Sequence, residues 1–191
     1  MIFTAGAAVA QIAPPGCECA GEAIRAARQA ASAAESKLGP DHPVTAMMLR
    51  DLALAFEQSG YHQHAEYYAN RSLAILEARF GTRDVSLVPA LNVLTEAYAA
   101  EGRNSEALQC ARRAIGIGPE AGAHYATALH NAAAVLYNDG RLSESESFFV
   151  RALAAREATL PAGHPYIQQT RTELKKVQRA ARLMARQAPR R

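Results

Sequence analysis

Tryptophan is absent from these 191 residues, aromatic residues make up only 6%, and there are three cysteines. Each scarcity narrows the field. Cys17, Cys19 and Cys110 supply neither a disulfide framework nor a metal-ligand set, because the Cys-x-Cys pair has no second pair near it. No apolar run approaches the roughly 20 residues needed to cross a bilayer. Gly-x-Ser-x-Gly, His-Glu-x-x-His and a Gly-rich phosphate loop are all missing. Without a convergent nucleophile, base or ligand set, the expectation is a chain that is not an enzyme. It is read as using no metal, no cofactor and no small-molecule substrate.

Hydrophobic residues reach 49%, enough for a sizeable core, and alanine supplies much of that fraction. Alanine favours helices and lets their backbones come close. The formal charge of +3 is unevenly spread. Residues 171–191 carry Arg171, Lys175, Lys176, Arg179, Arg182, Arg186, Arg190 and Arg191 against Glu173, a net +7, which leaves −4 for residues 1–170.

The organising stretch runs from Gly39 to Gly81. Leu49, Leu52, Ala53 and Phe56 recur at helical spacing, then Ala65, Ala69, Ser72, Leu73 and Leu76 do so on a second helix. The pattern predicts helices over 43–58 and 62–79, broken at Ser59-Gly60, with Asp41 as the cap and Pro43 in the first turn. Neither stripe can be buried by one partner alone, so the pairs are expected to stack. A second unit follows 42 residues later: Asp84 falls opposite His42, Leu91 opposite Leu49, Leu94 opposite Leu52, Tyr98 opposite Phe56 and Gly102 opposite Gly60. Gly140 anchors a third unit, shortened by four residues near Gly116, Gly118 and Pro119, with Leu129, Ala132, Ala133 and Leu136 as its first stripe. Ahead of them, Ala23, Ala27, Ala30, Ala31 and Ala34 read as the small-residue face of an unpaired second helix.

The resulting layout is an N-terminal segment 1–19, an array over 20–163 and a basic capping helix and tail over 164–191. Within the array a half repeat spans 20–39 and full repeats lie at about 41–81, 84–119 and 122–161.

The phrases G-P-D-H-P-V-T-A, L-R-D-L-A-L-A-F-E-Q-S-G-Y, L-N-V-L-T-E-A-Y-A-A-E-G-R and L-H-N-A-A-A-V-L-Y-N-D-G-R resemble the tetratricopeptide repeat, in the 42-residue form of kinesin light chains and many bacterial proteins. The resemblance covers about Ala20 to Ala188. It implies an all-α fold: antiparallel helix pairs wound into a right-handed superhelix, an α-solenoid whose first helices line a concave groove for a peptide. The groove residues it implies are Arg50, Leu54, Glu57, Asn92, Glu96, His130, Asn131 and Tyr137, with Ala99 and Ala134 beside them. Kinesin light chains place two asparagines together where this chain has Arg50-Asp51, Asn92-Val93 and His130-Asn131. That departure sets its groove apart from theirs.

The function expected is therefore a non-enzymatic protein–protein interaction scaffold. The alternative is electrostatic binding of nucleic acid or an anionic surface through the basic C-terminal helix. That tail lacks the interleaved aromatics that stack on bases, and a solvated cap face is its plainer reading. His62 and His64 are the nearest thing to a metal pair, but two residues on a helix point apart. His42 and His164 precede prolines at helix starts, where capping or turn packing accounts for them. Ser143-x-x-Glu146 reads as a capping box.

Residues 1–10 end in Ala8-Val9-Ala10, a small-x-small pattern like that of a secretory cleavage site, with no Lys or Arg before it. Export and a cytoplasmic location both stay open. Sequencing the N-terminus of the mature protein decides: a start at Gln11 means export, and an intact Met1 or Ile2 means retention.

Overall fold

Local chemistry closes each break in the helical pattern. The computed structural model describes the backbone of residues 18–187 and the side chains of 21–185, so the N-terminal cleavage pattern, Cys17 and Cys19 lie outside the described side chains. The elements are α1 (Glu18–Leu38), α2 (Pro43–Gln58), α3 (His62–Phe80), α4 (Val88–Ala100), α5 (Asn104–Ile117), α6 (Ala123–Asn138), α7 (Leu142–Thr159) and α8 (Pro165–Gln187). Short 3-10 turns at Val85–Leu87 and Pro119–Ala121 complete the set, and no strand occurs among the described residues.

Helix starts reuse one position. His42 Nδ1 accepts from the Val44 N–H at 3.2 Å, Asp84 Oδ1 from Ser86 at 2.9 Å and His164 Nδ1 from Tyr166 at 3.2 Å. These caps satisfy backbone donors that have no intrahelical partner. Asp41, the expected cap, stands one residue too early, and His42 takes that role. The capping box at Ser143 is also corrected: α7 opens after Arg141 with no side-chain cap, and the Arg141 guanidinium holds Glu144 at 2.7 Å instead.

The turns inside the three complete pairs are alike. The N–H of Tyr61, Arg103 and Arg141 returns to the carbonyl of Phe56, Tyr98 and Leu136 at 2.9, 2.8 and 2.9 Å. This wrap requires a left-handed residue just before, and Gly60, Gly102 and Gly140 supply it with φ of +79°, +75° and +74°.

Each first helix pairs with its own second helix, α2 with α3, α4 with α5 and α6 with α7. Each second helix also meets the next unit, α1 on α2, α3 on α4, α5 on α6 and α7 on α8. Leu49, Leu52 and Phe56, then Leu91 and Leu94, then Leu129 and Leu136 are buried along the seam, with Ala65, Ala69, Ala107, Ala111 and Ala114 nested between them. The fold is thus an all-α solenoid.

Its curvature has a readable cause. First helices touch one another directly, α2 on α4 and α4 on α6, whereas successive second helices stand farther apart. Long side chains span that outer gap: Arg71 pairs with Glu35 and Arg113 with Glu77, the same contact repeated at the 42-residue interval. The first helices therefore form the inner wall.

The small-residue face expected of α1 is only partly buried. Ala31 is covered and Ile24 and Ala27 pack beside it, but Ala23 and Ala30 are exposed. Their equivalents Ala65 and Ser72 are buried because α2 lies over them, and no described helix lies over α1 on that side.

Leu94 is 1% exposed in the central unit, so Leu94→Ala is expected to cost about 3 kcal/mol of stability by leaving a cavity. Gly102→Ala should cost about 1 kcal/mol through its positive φ. Removing one outer rung with Glu77→Gln should cost less than about 1 kcal/mol. Urea unfolding followed by circular dichroism ranks the three.

Candidate functional site

The inner wall is built from the faces of α2, α4 and α6 that point away from the second helices. On α2 this face carries Val44, Met47 and Leu54, exposed by 40%, 44% and 37%. Their spacing places them on one side of the helix. Arg50, at the edge of that face, donates to Asp51 Oδ1 from Nε at 2.9 Å and from a terminal nitrogen at 2.6 Å, so the two charges are mutually satisfied.

Two half-buried carboxylates follow. Burial pushes the Glu57 carboxyl above its ordinary range, partly offset by the nearby His62. Burial also pushes up Glu96, a hydrogen bond from Asn131 works against it, and the negative charge of Glu57 adds to the rise. Asn131 Nδ2 donates to Glu96 Oε1 at 2.7 Å and so ties α6 to α4. Farther along, Tyr137 is half-buried, with Lys176 Nζ of α8 at 4.9 Å from its ring centroid. Leu54, Glu57, Glu96, Asn131 and Tyr137 thus share the inner wall.

Two residues expected there are turned inward. Asn92 is 5% exposed and donates from Nδ2 to the His124 carbonyl at 2.9 Å, pinning α4 to the start of α6. His130 is 9% exposed, edge-on to Phe149 at 5.2 Å, with Nδ1 at 3.4 Å from Thr170 Oγ1. Their register explains the correction. Arg50, Asn92 and His130 occupy equivalent positions at the side of the first helix that meets the next unit, so a neighbour covers Asn92 and His130. Arg50 keeps partial exposure through its bond to Asp51.

Beside His130 lies a residue that sequence reasoning missed. Arg156 is 4% exposed, donates to the Tyr166 carbonyl at 2.7 Å and to the Thr170 hydroxyl, and has no carboxylate partner among the described residues. It occupies the place held by Leu76 in the first unit, and only that register comparison could have flagged it. Burial and the Arg156 charge push His130 down to about 4, so its ring is neutral at pH 7. A buried neutral imidazole against a guanidinium makes a packing element rather than a base facing the groove. Val44 and Met47 were missed as well, although they share the helical spacing of Leu54.

The remaining candidates are dispersed. His64 stacks on Phe56 at 4.9 Å, and burial pushes the Cys110 thiol up to about 11, which leaves it a poor nucleophile. Among the described residues, no group of three or more His, Cys, Asp or Glu side chains is placed to hold a metal ion.

Residues 17–78 match one model of the tetratricopeptide repeat and residues 126–166 match another. This chain is a tetratricopeptide-repeat protein. The repeats support a protein-interaction scaffold as its general role. Comparison with curated protein sequences finds no significant match. A solved structure from Podosopora anserina, described as a kinesin light chain with nearly identical TPR-like repeats, aligns at a TM-score of 0.64 and 21% identity, covering 85% of this chain and 79% of that one. A single-substitution form of the same protein aligns at a TM-score of 0.65 and 21% identity, covering 85% and 78%. BtubC (BKLC) from P. vanneervenii aligns at a TM-score of 0.71 and 19% identity, covering 85% and 66%. At such identities the likeness is one of fold.

The depressed His130 sets a sign for pH dependence in this tetratricopeptide-repeat protein. Between about 4 and the unfolded value near 6.5, the unfolded chain binds a proton that the folded chain refuses. Stability from this group is fully present above that unfolded value and is lost as pH falls toward 4, on the order of 3 kcal/mol in total. Thermal unfolding of the wild type against His130→Asn, which copies Asn92 of the preceding unit, should show a steeper loss for the wild type between pH 7 and 4.

Proposed function

We propose that the protein holds an extended peptide segment of a partner protein along the inner wall of its repeats and performs no chemistry on it. The observation that carries this reading is the exposure of Val44, Met47 and Leu54 on one face of α2, a stripe that the fold leaves without an internal partner among the described residues. Apolar surface held open beside polar groups is the usual composition of an interaction surface. Glu57, Glu96, Asn131 and Tyr137 supply polar and aromatic contacts on the same wall. Arg50 lies at its edge, while Asn92 and His130 support it from behind.

The charge-based alternative through α8 has less to draw on. Arg171 is paired with Glu157 at 2.6 Å, and Lys176 lies over Tyr137 and near Glu173. Part of the basic face is thereby engaged within the protein, and Lys175, Arg179 and Arg182 are exposed on the helix surface.

Cross-linking mass spectrometry on captured partners separates the two. The double variant Met47→Arg with Leu54→Arg is expected to keep its helical circular dichroism and lower partner affinity at least about tenfold, the size of one lost apolar anchor or more. A chain lacking residues 186–191 should bind as the wild type does. The opposite pattern, with binding lost on removing the tail and kept in the double variant, would favour the charge-based reading.

A further inference from the structure

The inner wall changes sign along its length. At the α2–α4 end it presents Glu57 and Glu96, and at the α8 end Lys176 lies over Tyr137, with Arg179 exposed on the same helix. The basic side chain set among the α2 groove residues, Arg50, is already held by Asp51 through two hydrogen bonds. Glu96 has one partner, Asn131, which is neutral and leaves the carboxylate charge uncompensated. Neither Glu57 nor Glu96 has a salt-bridge partner among the described residues. Both carboxylates are half-buried and stand on α2 and α4, first helices that pack directly together, so a cation set between them meets charge that no described side chain neutralises.

One turn earlier on α4 a polar side chain is turned away from the wall. Asn92 is 5% exposed, uses its Nδ2 on the His124 carbonyl and leaves Oδ1 buried with no hydrogen-bond donor among the described residues. The neighbouring unit covers that oxygen, so the wall's unmatched charge is that of Glu57 and Glu96.

Resting on the groove reading above, we propose that the occupant is a peptide segment with a lysine or arginine side chain seated between Glu57 and Glu96. Its apolar neighbour lies against Met47 and Leu54. The basic α8 end orients the segment by repelling the cation and favouring any acidic residue that follows it. Each arm of the groove thus selects one part of the same segment: the stripe on α2 takes an apolar side chain, and the carboxylates take the cation.

Panning a phage-displayed library of random dodecapeptides against the full chain tests this directly. Peptides retained by the wild type should be enriched in Lys or Arg next to Leu, Ile, Val, Met or Phe. The strongest, made as a fluorescent synthetic peptide, should bind at least about tenfold more weakly to Glu57→Gln with Glu96→Gln, a variant that removes charge without changing shape. Enrichment of neutral or acidic peptides that still depend on Met47 and Leu54 would overturn the cation inference and keep the groove. Retained peptides indifferent to Met47→Arg with Leu54→Arg would overturn the groove reading itself, and no enrichment over an empty support would overturn both.

Discussion

Close approach of helices at alanine and serine is the contact on which everything else rests. Ala46, Ala53, Ala65, Ala69, Ala107, Ala111, Ala114, Ala133 and Ala152 have no measurable exposure, and Ser72 and Ser145 join them by donating their hydroxyls to the Ala46 and Ala133 carbonyls at 2.7 Å. A side chain that ends at Cβ lets two backbones settle together and lets the leucines on either side interlock. With so few aromatic residues, no bulky anchor could replace this arrangement. A larger residue at any of these positions would force the pair apart and pass the displacement to the next unit.

That close nesting is also what shapes the surface available to other molecules. First helices are drawn near enough to touch across units, while second helices are spread and linked by Arg71–Glu35 and Arg113–Glu77. The array must then bend toward its first helices. Residues at the side of that inner wall, Asn92 and His130, are swallowed by the neighbouring unit, and those at its centre, Leu54 and Glu96, stay open. Glu96 carries a charge in a half-buried place because it stands where Leu54 stands one unit earlier. The array repeats its geometry without repeating its chemistry.

Polar groups buried at the C-terminal end follow the same logic of register. Arg156 occupies a leucine position and satisfies its donors on the Tyr166 carbonyl and the Thr170 hydroxyl of α8. Thr170 in turn contacts His130 of α6, so three helices meet through one short polar chain. The neutrality of His130 is a consequence of that burial next to a fixed positive charge. Such a cluster specifies how α8 seats on α7 more sharply than apolar packing alone would.

Much of the architecture could be read from residues alone, because its determinants are local and periodic. The apolar spacing marked the helices, the glycines Gly60, Gly102 and Gly140 marked where each pair turns, and the 42-residue recurrence of leucines forced a stack. The capping choice between Asp41 and His42, and the failed capping box at Ser143, were not legible, since one residue of offset decides whether a side chain can reach a backbone N–H. The candidate groove residues Leu54, Glu57, Glu96, Asn131 and Tyr137 came from the resemblance to the tetratricopeptide repeat and not from a local pattern. Which neighbours cover Asn92 and His130 and where Arg156 finds its acceptors were settled only by the distance between units. The sequence alone determined the helix pairs and their repetition, through hydrophobic periodicity and the backbone freedom of glycine. Only the tertiary structure decided which side chains face solvent, because that depends on how closely one unit leans on the next.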